Sequence, residues 1–152
     1  MKKYNFYGWE NGGIKPISAD IGFIGDLCDM YDALSEIWCA ETCAPRMRHK
    51  WTKENKTLGQ CSITAFLVQD YFGGEVYGIL RSGGNYHCYN VINGFVFDLT
   101  SEQFGNEILN YSENPLQSRD VHFQKEEKRE RYELLRNNVQ KIISGSIIHT
   151  NP

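Results

Sequence analysis

The sequence predicts one α+β domain in which a buried helix packs on a small antiparallel sheet, with flanking N- and C-terminal helices. The segment from Cys61 to Phe72 is apolar almost throughout and stops at Gly73-Gly74, which is typical of a buried helix. Asn93-Gly94 separates two segments rich in aromatic and β-branched residues, a strong signal of a β-hairpin. A chain of 152 residues suits one domain, so we expect residues 1–152 to form a single unit.

The flanking elements follow from the spacing of apolar residues. Between Ile21 and Ala40 apolar residues recur three and four positions apart, which predicts an amphipathic helix. The charged segment Gln124–Ile143 has one apolar side and predicts a second such helix. Ala44–Leu58 is polar and predicts a surface loop. Three strands are predicted, namely Glu75–Leu80, Tyr86–Ile92 and Phe95–Leu99.

Composition excludes several classes of protein. Hydrophobic residues make up 41% and charged residues 23%, which indicates a globular chain. A net charge of −3 gives no electrostatic case for binding nucleic acid, which usually requires a basic face. No stretch approaches the roughly 20 apolar residues of a membrane span, and no apolar run follows the lysines in Met1–Phe6. We therefore expect a soluble cytoplasmic protein without membrane or nucleic-acid partners. The chain has five cysteines, an odd number, and we expect them to be reduced thiols.

The hairpin allows a geometric prediction about a histidine and a carboxylate. If Asn93-Gly94 forms a two-residue type I′ turn, Ile92 pairs with Phe95 and the register follows. Counting from that pair, four side chains project from one face of the sheet: His87, Tyr89, Asp98 and Thr100. His87 and Asp98 are then diagonal neighbours with Cβ atoms roughly 7 Å apart or less, close enough for a hydrogen bond.

This pair suggests nucleophilic chemistry at a cysteine. A carboxylate bonded to one imidazole nitrogen orients the ring and stabilises the imidazolium, which leaves the other nitrogen for a thiol. Cys61 is the natural thiol, because it begins the buried helix, where the dipole and free N–H groups favour a thiolate. The same N–H groups could bind an oxyanion, and Gln60 could add a side-chain donor. Cys61, His87 and Asp98 are therefore the predicted catalytic residues.

Five short runs carry a family resemblance: Trp38–Thr42, Gly59–Ala65, Gln69–Gly74, His87–Asn90 and Asp98–Phe104. Together they resemble the bacterial YunG family of small proteins. The order of a cysteine at a helix start, a histidine on one strand and an aspartate on the next is similar to papain-like and transglutaminase-like thiol enzymes. The resemblance implies a papain- or transglutaminase-like fold and site, without a substrate. Cys43 departs from the family pattern, where a serine or another small residue is expected, so the resemblance assigns Cys43 no role.

The resulting hypothesis is a thiol-dependent hydrolase or acyltransferase, such as a peptidase, amidase, deamidase or transglutaminase-like enzyme. Its substrate would be a peptide, a protein or a small amide or thioester, with no cofactor, and the oligomeric state stays open. The alternative is a non-enzymatic module that keeps the fold and binds a peptide or partner in the cleft. A toxin-associated or immunity-type protein is a third interpretation.

Individual residues also have structural interpretations. Cys61 could be a buried core thiol, and His87 and Asp98 could be neighbours that only satisfy each other. Tyr89 could wall the cleft or pack in the core, and Gln103 could reach the site or cap a helix. Asn90, on the opposite face, is interpreted as a structural hydrogen-bonding residue. A zinc site would have to use Cys39, Cys43 and His49, for which no second ligand pair exists at familiar spacing, so no metal is predicted.

Overall fold

The computed structural model describes residues 3–17 and 21–145 of the chain. Met1 and Lys2, at the start of the predicted segment Met1–Phe6, lie outside these ranges. The predicted single domain over residues 1–152 also extends beyond them. Helix α1 spans Leu27–Ile37, α2 spans Cys61–Phe72, α3 spans Arg119–Phe123 and α4 spans Glu126–Ile143. The strands are β1 (Glu75–Leu80), β2 (Tyr86–Ile92) and β3 (Phe95–Phe97). The architecture is α+β, as predicted.

Helix α2 is the centre of the molecule and begins at Cys61, as predicted. Its residues from Ser62 to Val68 are all buried, because it packs on β2 on one side and on α4 on another. It ends at Phe72 and is capped by Gly73, whose φ of 79° lies in the left-handed region that only glycine adopts without strain. A helix buried on several sides needs apolar residues all round, which explains the continuous apolar run in the sequence.

The sheet is antiparallel with the order β1-β2-β3. The predicted hairpin is confirmed: Ile92 pairs with Phe95, and Asn93 and Gly94 have φ values of 53° and 82°, as a type I′ turn requires. The ladder with β2 ends at the pair formed by Asn90 and Phe97, two residues before the predicted end of β3 at Leu99. Asp98 instead forms an isolated bridge with Tyr7 of the N-terminal segment.

The N-terminal helix is shorter than predicted. Asp26 caps α1, and its side chain accepts a hydrogen bond of 2.8 Å from the backbone N–H of Asp29, so helical structure starts at Leu27 and not at Ile21. The preceding Gly22 has a φ of 63°, which is incompatible with a continuous helix. Apolar spacing continued through this segment because Ile21 and Ile24 are core residues in an irregular chain.

The C-terminal segment folds back over α2. Helix α4 begins two residues later than predicted, and α3 precedes it. Arg119 of α3 forms an ion pair with Asp70 of α2, with 2.5 Å between Nη2 and Oδ1, and the hydroxyl of Tyr132 in α4 also bonds to Asp70. These contacts fix α3 and α4 beside the N-terminal half of the chain. Of the helices in the described ranges, none is both long and apolar enough to cross a bilayer.

Candidate functional site

His87 and Asp98 are in direct contact. Nε2 of His87 lies 2.6 Å from Oδ2 of Asp98, and the two side chains are 2% and 1% exposed. This contact forms although Asp98 lies outside the ladder between β2 and β3. Asp98 directly follows Phe97, the last paired residue of β3, and its carboxylate reaches the imidazole. The ring of Phe104 meets the imidazole edge-on at 4.6 Å between centroids and helps to exclude water.

The Asp98 carboxylate is fully engaged. Oδ2 also accepts a hydrogen bond of 2.7 Å from the hydroxyl of Tyr111, and Oδ1 accepts longer bonds from the backbone N–H and the hydroxyl of Thr100. A buried carboxylate costs several kcal/mol unless its oxygens are satisfied in this way. Asp98 is therefore held in one orientation, and through it the imidazole of His87 is held as well.

Cys61 lies at the open end of this network. Its side chain is half-buried, and Sγ lies 3.8 Å from the carbonyl oxygen of Tyr86. Tyr86 is the first residue of β2, and the ladder between β2 and β3 does not extend to it. Since Nε2 of His87 is taken by Asp98, Nδ1 is the ring nitrogen that remains for Cys61. Nδ1 is buried and makes no hydrogen bond within residues 3–17 and 21–145. The imidazole thus has one nitrogen anchored and one available.

The surroundings favour the proton on the imidazole over the thiol. A hydrogen bond from Cys88 holds the pKa of the Cys61 thiol well below its usual range, burial opposes this effect, and the positive charge of His87 adds to it. Burial by itself would lower the pKa of His87, but the Asp98 carboxylate and Cys61 together raise it to about 10. Both shifts favour the form of the pair in which Cys61 is a thiolate and His87 an imidazolium.

Cys88 is a participant that the sequence did not single out. It is buried next to His87 in β2, and its thiol and backbone N–H both interact with the sulfur of Cys61. The Cys61 thiolate in turn raises the pKa of Cys88 well above its usual value. These shifts favour the thiol form of Cys88, in which its S–H can donate to Cys61.

Replacement of Cys88 by alanine is expected to raise the apparent pKa of Cys61, because a hydrogen bond to a charged group, worth about 1.5 kcal/mol or more, is lost. The measurement is the rate of alkylation of Cys61 as a function of pH, with each cysteine resolved by mass spectrometry. Cys88→Ser is the matched control, since its hydroxyl retains a donor. Equal profiles for the wild type and both variants would show that Cys88 does not act on the thiolate.

Cys61 and His87 open into a cavity of about 750 Å³. The wall is formed by the loop after α1, the β1–β2 turn, and the segment from α3 into α4. Ser62, at the first turn of α2, also lines it, so the backbone N–H groups at the start of the helix, which have no intrahelical acceptor, lie beside the sulfur. The thiol is accessible from this cavity.

The other predicted site residues occupy different positions. Gln103 lines the cavity, where its Oε1 accepts a bond from the backbone N–H of Gly59 and its Nε2 donates to the carbonyl of Thr100. Gln60 is fully buried behind Cys61, and its Nε2 donates to the carbonyl of Cys39 at 3.0 Å.

Tyr89 is 2% exposed, and its hydroxyl donates to the carbonyl of Tyr111 and accepts from Asn114. It does not line the cavity and packs behind the site. Asn90 points to the opposite face and donates to the carbonyl of Ala65 in α2 at 2.8 Å, which confirms its structural interpretation.

Several residues near the site come from parts of the chain without a recognisable motif. Tyr111 reaches Asp98 from an irregular segment, and His122 and Lys128 reach the cavity from α3 and α4. A tyrosine in a loop and a lysine in a charged helix look like ordinary surface residues in the sequence. Within the described part of the chain, no group of three or more His, Cys, Asp and Glu side chains is arranged to hold a metal ion.

Comparison with known proteins places the chain in a family context. Residues 26–144 match the family described as "YunG protein". The chain is also 51% identical over 55 residues to a protein named "Uncharacterized protein YunG" from Bacillus subtilis (strain 168). That similarity covers 36% of this chain and 47% of the relative, so the chain spans about half the length of the curated relative it matches. No solved structure matches the chain.

Proposed function

The chain belongs to the YunG family, and on this premise we propose that it is a thiol-dependent hydrolase or acyltransferase with a papain- or transglutaminase-like fold. Cys61 is the nucleophile, His87 transfers the proton and Asp98 orients His87. The observation that carries the proposal is the 2.6 Å contact between His87 and Asp98 beside a half-buried, accessible Cys61. The substrate would be a peptide, a protein or a small amide or thioester.

The chemistry requires two steps. In the first, the Cys61 thiolate attacks the carbonyl carbon, a C–S bond forms, and the leaving amine or thiol takes a proton from the His87 imidazolium. In the second, neutral His87 removes a proton from water or from an acceptor amine, which attacks the acyl-enzyme and releases Cys61 as thiolate. Water gives hydrolysis or deamidation, and an amine gives transfer.

The tetrahedral intermediate of each step carries a negative oxygen. We assign the stabilisation of this oxygen to the backbone N–H groups of Cys61 and Ser62 at the start of α2. The positive end of the helix dipole contributes to the same effect. Neither predicted glutamine offers a free amide, because Gln103 donates to the carbonyl of Thr100 and Gln60 donates to the carbonyl of Cys39.

Alkylation of Cys61 by iodoacetamide tests the proposal. In the wild type, Cys61 is expected to react faster than the other four cysteines, and its rate should stay high at pH 6, below the free-thiol pKa of about 8.5. In His87→Ala the imidazolium is lost, the pKa of Cys61 rises, and the rate at pH 6 is expected to fall by about tenfold, since a more basic thiolate offsets part of the loss. Mass spectrometry at each cysteine gives the rates.

Cys39 is the internal control, because it is half-buried on another part of the surface. Its alkylation should be unaffected by His87→Ala. If Cys61 reacts no faster than Cys39 in the wild type, the enzymatic proposal is wrong, and a non-enzymatic binding module becomes the better account of the cavity.

A further inference from the structure

The cavity in front of Cys61 is lined by an excess of cations. Five basic side chains line it, namely Arg46, Arg81, Lys125, Lys128 and Arg131. Among its described lining residues, Glu127 is the single acidic one. The whole chain carries a net charge of −3, so the cationic lining is a local feature and does not reflect the overall composition. A concave surface with one sign of charge concentrates ligands of the opposite sign.

The two least exposed of these arginines, Arg81 and Arg131, are already neutralised by carboxylates. Arg81 forms two hydrogen bonds with Glu107, at 2.7 and 2.9 Å, and its guanidinium lies over the ring of Phe104. Arg131 is 6% exposed and is paired with Glu127 at 2.8 Å. The forked donors that would favour a phosphate are therefore largely occupied.

Lys128 differs from both arginines. Its side chain is half-buried in the cavity wall, and no carboxylate within the described residues forms an ion pair with it. Its ammonium lies 2.9 Å from Nδ1 of His122, which must accept because an ammonium has no lone pair. Nε2 of His122 then carries the hydrogen and donates to Oε1 of Gln117 at 2.8 Å.

This chain of hydrogen bonds positions the ammonium and leaves its charge uncompensated. Burial, followed by the Lys128 charge, lowers the pKa of His122 to about 4, so His122 is neutral at physiological pH and does not share the role of a cation. Burial lowers the pKa of Lys128, and negative charge at the neighbouring thiols opposes this effect. Lys128 and Cys61 line the same cavity. Two of the three ammonium donors have no partner within the described ranges.

We propose that Lys128 binds a carboxylate on the substrate, so that the acyl donor of Cys61 is an acidic one whose carboxylate lies a short distance from the scissile carbonyl. The proposal rests on the proposed function of Cys61 and extends it to a substrate class. A monoanionic carboxylate matches one uncompensated ammonium, and the exposed Arg46 and Lys125 add long-range attraction at the rim. Side-chain or terminal carboxylates of peptides and short dicarboxylic acyl groups fit this description.

Iodoacetate and iodoacetamide form a matched pair of probes, because they have nearly the same size and differ by one carboxylate. The thiolate attacks the methylene carbon and iodide leaves in both reactions, so the ratio of the two rates is independent of how much of Cys61 is ionised. At neutral pH the ratio of the iodoacetate rate to the iodoacetamide rate at Cys61 is expected to fall by about fivefold in Lys128→Met, because one nearby unit charge is lost. Lys128→Arg, which keeps the charge, should retain most of the ratio.

Lys141→Met is the matched control, since Lys141 is an exposed cation of the same helix and does not line the cavity. It should leave the ratio unchanged. If Cys61 reacts rapidly with iodoacetamide and Lys128→Met changes the ratio no more than Lys141→Met does, the substrate class is wrong and the function of Cys61 stands. If Cys61 is unreactive toward both reagents, the proposed function fails and the substrate class fails with it.

The anion itself is tested by protection. Succinate is expected to slow alkylation of Cys61 by iodoacetamide in the wild type, and Lys128→Met should remove that protection. Protection by inorganic phosphate and not by succinate, again dependent on Lys128, would overturn the carboxylate assignment in favour of a phosphorylated ligand.

Discussion

Replacement of Asp98 by alanine is expected to lower the free energy of unfolding by about 3–5 kcal/mol, the cost of breaking a buried ion pair by removing one partner. Asp98 is 1% exposed and accepts hydrogen bonds from His87, Tyr111 and Thr100. Without the carboxylate, Nε2 of His87 and the hydroxyl of Tyr111 lose their partner inside the protein. The pKa of His87 should also fall, because the Asp98 carboxylate is the first of the two groups that raise it against the effect of burial.

Urea denaturation followed by circular dichroism measures the loss. Tyr111→Phe is the graded control, since it removes one donor to Asp98 and leaves the His87 contact, and it should cost about 1 kcal/mol. A cost for Asp98→Ala no larger than that for Tyr111→Phe would mean that the carboxylate is not the organising group of this network.

Replacement of Cys61 by alanine is expected to abolish acyl transfer from a reactive ester, with a loss of rate of about 10³-fold or more. In the wild type, p-nitrophenyl acetate should release one equivalent of p-nitrophenolate per chain in a burst and leave an acetyl group on Cys61. The low pKa of Cys61 and its access to the cavity predict that this thiol reacts before the others. Stopped-flow absorbance gives the burst, and mass spectrometry locates the acetyl group.

Cys39→Ala is the control and should keep the full burst, because Cys39 does not line the cavity of Cys61. Steady release after the burst would indicate hydrolysis, and release only after addition of an amine would indicate transfer. A burst that survives in Cys61→Ala, or an acetyl group on another cysteine in the wild type, would contradict the assignment of the nucleophile.

Most of the fold could be predicted because it depends on local signals. Asn93-Gly94 set the register of the hairpin, since both residues accept positive φ, and Gly73-Gly74 ended α2 for the same reason. The predicted bounds of β1, β2 and α2 agree with the structure. The start of α1 was predicted wrongly, because Ile21 and Ile24 are buried by long-range packing, and apolar spacing does not distinguish that from a helix.

The site was predictable to the extent that it lies on these local elements. Cys61 at the start of α2 and His87 on β2 follow from element boundaries, and Asp98 follows from the hairpin register even though the ladder stops at Phe97. Gln60 was a reasonable candidate by its position in the sequence, but the structure directs its amide to the carbonyl of Cys39. The direction of a side chain next to a helix start depends on what packs against it, and sequence position does not specify this.

By itself, therefore, the sequence determined the fold class, the hairpin register and the neighbourhood of Cys61, His87 and Asp98, because periodicity and turn chemistry act over a few residues. The tertiary structure alone decided that Tyr111 completes the Asp98 network and that Lys128 lines the same cavity as the thiol. These residues lie 13 positions from Asp98 and 67 from Cys61 along the chain. Such contacts form only when the irregular segment and α4 fold back over α2, which is driven by burial of non-local apolar surface and leaves no local pattern.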